Sequence, residues 1–214
     1  RPVSRAAEAD VSRERFAVLV RNMHRGVPTT VLAVAIFGAG LHLKGPIGGF
    51  WPWAILTLAM VPAYFVGVLP LYRRWGAIDR FDKVNWLFIA YSSLFGGVWG
   101  LAGLLFFDTE PVRLLALTVM VLANITSIAI AAAAHLPSTR AFATALVLPF
   151  ALRAASAGEL ITWLVAGAVL LVVGVALVYA QANHAALIDS IRMRFENGRL
   201  LRETRERLEQ QTAT

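Results

Sequence analysis

The sequence predicts an all-α integral membrane protein. The expected form is a six-helix bundle, N-in/C-in, extended by a cytoplasmic C-terminal signalling helix with the pattern of a coiled-coil stalk. Three observations predict it. First, the 214 residues are 58% hydrophobic and 15% charged, and the apolar excess is gathered into long runs rather than spread evenly. A soluble domain sits near half apolar and a quarter charged. Second, seventeen of the 20 Lys and Arg residues fall on one side of those runs when they are threaded alternately through a bilayer. Third, the uncharged "LITWLVAGAVLLVVGVALVYA", Leu160–Ala180, passes without a proline into "SIRMRFENGRLLRETRERLEQQ", Ser190–Gln211, which is nearly half charged.

A bilayer core takes roughly 20 apolar residues per helix. Six stretches qualify: Val27–Leu43, Trp51–Tyr72, Asn85–Phe107, Val112–His135, Arg140–Ala157 and Leu160–Ala180. The segments between them ("KGPIGG", "RRWGAIDRFDK", "DTEP", "HLPSTR" and "SAGE") carry the Gly, Pro and charge of helix ends. Pro62 and Pro149 lie inside spans, where they kink a helix without ending it. The chain divides into residues 1–26, a cytoplasmic amphipathic helix; 27–180, the six-span domain; and 181–214, a linker helix.

Orientation follows from the basic residues, which collect on the cytoplasmic side. Six arginines from Arg1 to Arg25 precede the first span. Arg73, Arg74, Arg80 and Lys83 follow the second, Arg140 follows the fourth, and six arginines from Arg192 to Arg207 follow the sixth. Only Lys44, Arg113 and Arg153 fall on the other side. The aromatic residues agree: Phe50, Trp51, Trp53, Phe106, Phe107 and Trp163 mark the outer boundary, and Tyr72, Trp75, Trp86 and Tyr179 the inner one. The net charge of +7 is therefore topological, and the expected partners are membrane lipids, not nucleic acid. The absence of Cys excludes disulfides, Cys-ligated zinc and a thiol nucleophile. The expected location is a bacterial inner membrane, with multi-pass topology.

In the first segment, Phe16, Leu19, Val20 and Met23 form one apolar stripe at i, i+3, i+4 and i+7. Such a stripe fits either a helix lying on the inner leaflet or one packed against the exit helix. In the last segment, Leu187, Leu201 and Leu208 share a heptad position with Arg194, Ile191 shares the next with Gly198 and Arg205, and Phe195 flanks the seam. Ile191, Phe195, Gly198, Leu201 and Leu208 are the expected signal-transmission residues. Glu203 and Arg207, at i and i+4, support a helix in water.

Polar residues inside spans point to function. Asn124 is expected to face the bundle interior, as a partner in an interhelical hydrogen bond or as the polar anchor of a ligand pocket. Ser92 and Ser93 precede Gly96, Gly97, Gly100 and Gly103, small residues that permit close helix packing. Trp99 either walls a cavity or packs. Arg153 either snorkels to headgroups or meets an anionic group on an amphiphilic signal. Asn124, Arg153, Trp99, Ser92 and Ser93 are thus the candidate ligand-binding residues. The four histidines show no spacing that suggests haem or metal, so no metal site and no catalytic residue is expected.

The run "LIDSIRMRFENGRLLRETRERLEQ", Leu187–Gln210, and the stretch "GGVWGLAGLLFF", Gly96–Phe107, carry a resemblance. Both are similar to segments of proteobacterial membrane-bound sensor histidine kinases, often hybrid ones, in which a multi-span region is linked to a kinase core. The resemblance implies a sensory and dimerisation module, a homodimer, and a response regulator as downstream partner. It also implies ATP and Mg in a kinase domain beyond Thr214, with no cofactor in the present chain. Some diguanylate cyclases share the layout. The chain departs from a full kinase: His24, His42, His135 and His184 lack the context of a phospho-accepting His, and no nucleotide-binding loop is present. Short outer loops imply a membrane-borne or lipophilic stimulus. A small transporter or channel is the alternative, although no acidic residue lies within a span core.

Overall fold

The computed structural model of the chain describes residues 5–43, 45–78, 80–131 and 134–212. Lys44, Asp79, Ala132, Ala133 and the terminal residues Arg1–Ser4, Ala213 and Thr214 lie outside the described residues, as do the side chains of residues 5–9, Ala131, Glu203 and Thr212. The fold is all-helical, with no strand among the described residues. The helices are α1 (Arg5–His42), α2 (Phe50–Gly76), α3 (Phe81–Leu105), α4 (Pro111–Ala131), α5 (Leu136–Ser156) and α6 (Leu160–Thr212). Four of them, α2, α3, α4 and α6, are long and apolar enough to cross a membrane.

Three features differ in detail from the sequence expectation. The expected N-terminal helix and the first expected stretch from Val27 are one helix: α1 runs unbroken from Arg5 to His42, with Pro28 inside it. Its apolar stripe does not lie on a surface. Phe16 and Leu19 are buried in a cluster with Tyr64, Val68, Val84 and Phe88, against which Leu187 of α6 also packs. Burial among other helices outcompetes the headgroup layer because it removes the whole ring from water. The second correction concerns α4, which ends at Ala131; His135 instead stands at the N-cap of α5. Third, α2 contains a wide turn over Tyr64–Val68, in which the Leu69 N–H donates to Tyr64 O. Pro70 follows within two residues and lacks the N–H its turn requires, so the ladder loosens just before it.

The bundle is organised by the pairing of α3 with α5, its most extensive helix interface. The glycines of α3 explain the closeness. A Cβ on Gly96 would stand 2.5 Å from Phe142 O, one on Gly100 2.5 Å from Ala145 O, and one on Gly103 3.0 Å from Phe150 Cα. Pro149 has no N–H to offer Ala145 O, its partner one turn back, and Gly100 approaches that carbonyl closely enough for a Cα–H interaction. Gly97, on another face, meets nothing.

Trp99 belongs to this core. It is buried in an aromatic cluster with Trp53, edge-on at 5.3 Å, and with Phe95. The Trp53 Nε1–H donates to Val98 O at 2.8 Å, fixing α2 on α3. Connections are short. Gly49 before α2 and Gly158 before α6 have φ of +80° and +74°, a left-handed geometry that glycine enters without strain.

The last helix, α6, contains 53 residues and so extends about 80 Å at about 1.5 Å per residue. In its apolar half, Leu164, Leu171 and Val178 lie largely bare, while Val169 and Ala180 are buried on the bundle. Further along, Ile191 is buried and Phe195 lines a shallow groove with Asp10, Glu14 and Phe81. Leu201 and Leu208 are exposed. Gly198 interrupts nothing.

Candidate functional site

Membrane-spanning helices hydrogen-bond their backbones internally, so a polar side chain between them must find a partner or face a cavity. A cavity of about 500 Å³ lies between α1, α2, α3, α4 and α5. It runs along α1 from Asn22 and Arg25 to Ala33, a rise of about 12 Å from Arg25 at about 1.5 Å per residue. Ser92 and Asn124 both line it. Asn124 makes no interhelical bond: its Nδ2 donates to Met120 O on its own helix at 2.9 Å, and Oδ1 has no partner among the described residues. The amide therefore satisfies its donor locally and keeps an acceptor on the wall.

The other three expected residues are elsewhere. Ser93 donates to Ile89 O of its own helix at 2.9 Å and does not reach the cavity. Trp99 packs, as described, with its Nε1 buried and unpartnered among the described residues. Arg153 is exposed at the far end of α5, its guanidinium 5.3 Å from the Phe107 ring centroid and its Nη1 donating to Ser156 Oγ at 3.3 Å. Asn124 and Arg153 do not share a pocket, because α5 turns Arg153 outward.

Sequence reasoning missed Tyr64, Tyr91 and Arg25. The Tyr91 hydroxyl donates to Met60 O at 3.0 Å. Tyr64 is 2% exposed and lines the cavity, yet its hydroxyl is buried with no hydrogen-bond partner among the described residues. Leaving a buried hydroxyl unpaired costs roughly 1–3 kcal/mol. The available signal was the pair of prolines, Pro62 and Pro70, around Tyr64, which marks irregular backbone in an otherwise apolar run. Arg25 stands at one end of the cavity with no ion pair among the described residues.

A second polar node lies below it, outside the apolar spans. His135 is buried, with Nε2 2.6 Å from Asn85 Oδ1 and Nδ1 2.7 Å from Ser138 Oγ. A neutral imidazole satisfies both: Nε2–H donates to the amide oxygen, and the Ser138 hydroxyl donates to Nδ1. The Phe16 ring lies against it, tilted by 40° with centroids 5.4 Å apart. Burial, with Arg15 and His184 as nearby charges, pushes His135 down to about 4. Its folded pKa is thus below the unfolded value of about 6.5, so the unfolded chain binds the proton first. Stability is full above pH 6.5 and falls as pH drops toward 4. Melting followed in detergent from pH 7 to 5 is expected to show a loss of about 2 kcal/mol, and His135→Gln is expected to flatten that dependence.

No protein-family model, curated protein or solved structure matches the chain. Among the described residues, no three His, Asp or Glu side chains gather as a metal centre requires. The arrangement is that of a binding cavity: apolar walls, a few hydroxyl and amide groups, and one cation at the end.

Proposed function

We propose that the chain is the membrane-embedded sensory and dimerisation module of a sensor histidine kinase. In this reading six helices cross a bacterial inner membrane with both termini in the cytoplasm. Here α1 and α5 join the four more apolar spans, despite the shorter apolar part of α1 and the arginines of α5. A lipophilic signal enters the cavity, and α6 passes the change to a kinase core that uses ATP and Mg and addresses a response regulator. The bare apolar face of α6 and the exposed Leu201 and Leu208 beyond it favour a homodimer seam along that helix.

One observation carries the reading: α6 is unbroken from Leu160 to Thr212. A continuous helix transmits rotation or tilt, which a flexible linker loses. Near its middle Leu187 packs against the cluster to which Phe16 and Leu19 of α1 belong, and α1 also forms one wall of the cavity. Ligand-dependent movement of α1 thereby bears directly on the exit helix.

The test joins the chain at Gln211 to a histidine kinase core in proteoliposomes, with one to four residues inserted after Gly198. Each insertion turns the downstream helix by about 100°. Autophosphorylation is expected to rise and fall with insertion phase. A flat response, or an unchanged signal response when an inert anchor replaces residues 27–180, overturns the proposal.

A further inference from the structure

Hydroxyl groups inside apolar helices ordinarily bond to their own backbone. Thr30, Ser93, Thr118 and Thr126 do so, each donating to the carbonyl four residues back at 2.7–3.2 Å. Ser92 and Ser127 line the cavity and make no hydrogen bond among the described residues. Ser127 follows Asn124 by three positions on α4, and residues so spaced are neighbours on one helix face. Asn124 uses only its Nδ2, on Met120 O, which leaves its Oδ1 as an acceptor. The α4 wall of the cavity therefore carries an uncommitted amide oxygen beside an uncommitted hydroxyl.

The way in is lateral. At one end α1 and α4 touch: a Cβ on Gly40 would stand 3.1 Å from Ala116 Cβ. Toward the other end the cavity stands between them, walled by residues from Gly26 to Ala33 on α1 and from Ala123 to Ile130 on α4. Thr29, Ala123, Ser127 and Ile130 line it and are also exposed, so it opens on the flank of the bundle. Counted antiparallel from the Gly40–Ala116 contact, Asn124 is level with Leu32, about 10 Å along α1 from the exposed Arg25. The deeper wall is apolar, with Phe95 of α3 and Phe142 of α5 edge-on at 5.8 Å.

This polar pair selects by charge. A carboxylate would set its lone pairs against Asn124 Oδ1 and lose its hydration with no cation lining the cavity at that depth among the described residues. An ammonium would exchange its hydration for a single amide oxygen. A ligand hydroxyl satisfies both groups, donating to Asn124 Oδ1 and accepting from the Ser127 hydroxyl. The volume of about 500 Å³ lies within the roughly 300–1,000 Å³ of small-molecule sites. We infer that the cavity binds an uncharged, single-chain alcohol taken sideways from the bilayer between α1 and α4. Its hydroxyl sits against Asn124 and Ser127, and its chain lies on Phe95 and Phe142. The inference rests on the sensory reading and names its ligand class. Its test needs no output domain, so a failure of binding and a failure of kinase control are separately observable.

The experiment uses the purified full chain in zwitterionic nanodiscs at pH 9, with a photoactivatable C12 alcohol as probe. Saturable labelling is expected, displaced by dodecanol but not by equal bilayer concentrations of dodecanoate, which is ionised, or of dodecane, which lacks the hydroxyl. Asn124→Leu and Ser127→Ala are each expected to weaken binding about 3- to 10-fold, the range for losing one neutral hydrogen bond. Neither side chain bonds another helix among the described residues, so both variants are expected to melt with the parent and keep the test readable. Ala123→Trp, which narrows the opening, is expected to abolish saturable labelling. Equal displacement by dodecanoate or dodecane, unchanged affinity in either polar variant, or labelling that never saturates overturns the inference. So does loss of the oligomer in Ser127→Ala, which would assign this polar face to a second copy of the chain.

Discussion

Replacing Gly100 with leucine is expected to leave almost no correctly packed protein. A single Cβ there would already stand 2.5 Å from Ala145 O and 3.2 Å from Pro149 Cγ. Neither neighbour is the free end of a flexible side chain; one is backbone and the other a ring. The two helices must therefore separate, which opens the most extensive interface in the bundle. Overpacking by even small groups typically costs about 1–3 kcal/mol, so alanine at Gly96 or Gly100 is expected to lower stability by that amount. The better helix propensity of alanine, worth about 1 kcal/mol over glycine, does not offset it. Gly97→Ala is the control: its Cβ meets nothing within 4 Å, so the propensity gain stands alone and the melting temperature is expected to hold or rise. Thermal unfolding of the three variants in one detergent decides the matter. Equal behaviour of Gly97→Ala and Gly100→Ala would show that α3 and α5 do not touch through this face.

The glycine pattern was legible in the sequence because small residues in an apolar run have few reasons to be there other than close packing. The apolar lengths of α2, α3, α4 and α6 were legible for a similar reason, since hydropathy is a local property. What the sequence concealed was tertiary. The apolar stripe of Phe16 and Leu19 left open whether it lay on the leaflet or packed on helices, and only the fold shows both residues buried against α2, α3 and Leu187. His135 closes an alanine-rich run and reads as the end of a span. Only the fold brings Asn85, 50 positions away, to its Nε2. For the site, Ser92 and Asn124 were visible as polar residues in apolar surroundings. Tyr64 was not, because tyrosine is common in membrane interiors and boundaries, and its missing partner is a fact about neighbours from three other helices.

Phe16→Ala is expected to uncouple the first helix from the last. The Phe16 side chain is fully buried, stacked on Phe81 at 6.1 Å and on Phe88 at 5.8 Å and tilted against His135 at 5.4 Å. Truncating a buried phenylalanine costs about 3–5 kcal/mol. The loss falls on one small cluster, which holds α1, α2, α3 and Leu187 of α6 together, and not on the glycine-packed core. The expected result is local release of the first turns of α1 with the rest of the bundle intact. The chain contains no cysteine, so spin labels at Arg13→Cys and Glu196→Cys, in protein diluted with unlabelled chain, report the distance within one protomer. That distance is expected to be narrowly distributed in the parent, where Asp10, Arg13 and Phe195 line one groove, and broad in Phe16→Ala. Phe16→Leu refills most of the volume and is expected to restore the narrow distribution. If the distance stays narrow after truncation, Phe16 does not hold the exit helix in place. The link between cavity and exit helix through α1 would then rest on Met23 alone of the residues named, which lines the cavity and also packs on the cluster that seats Leu187.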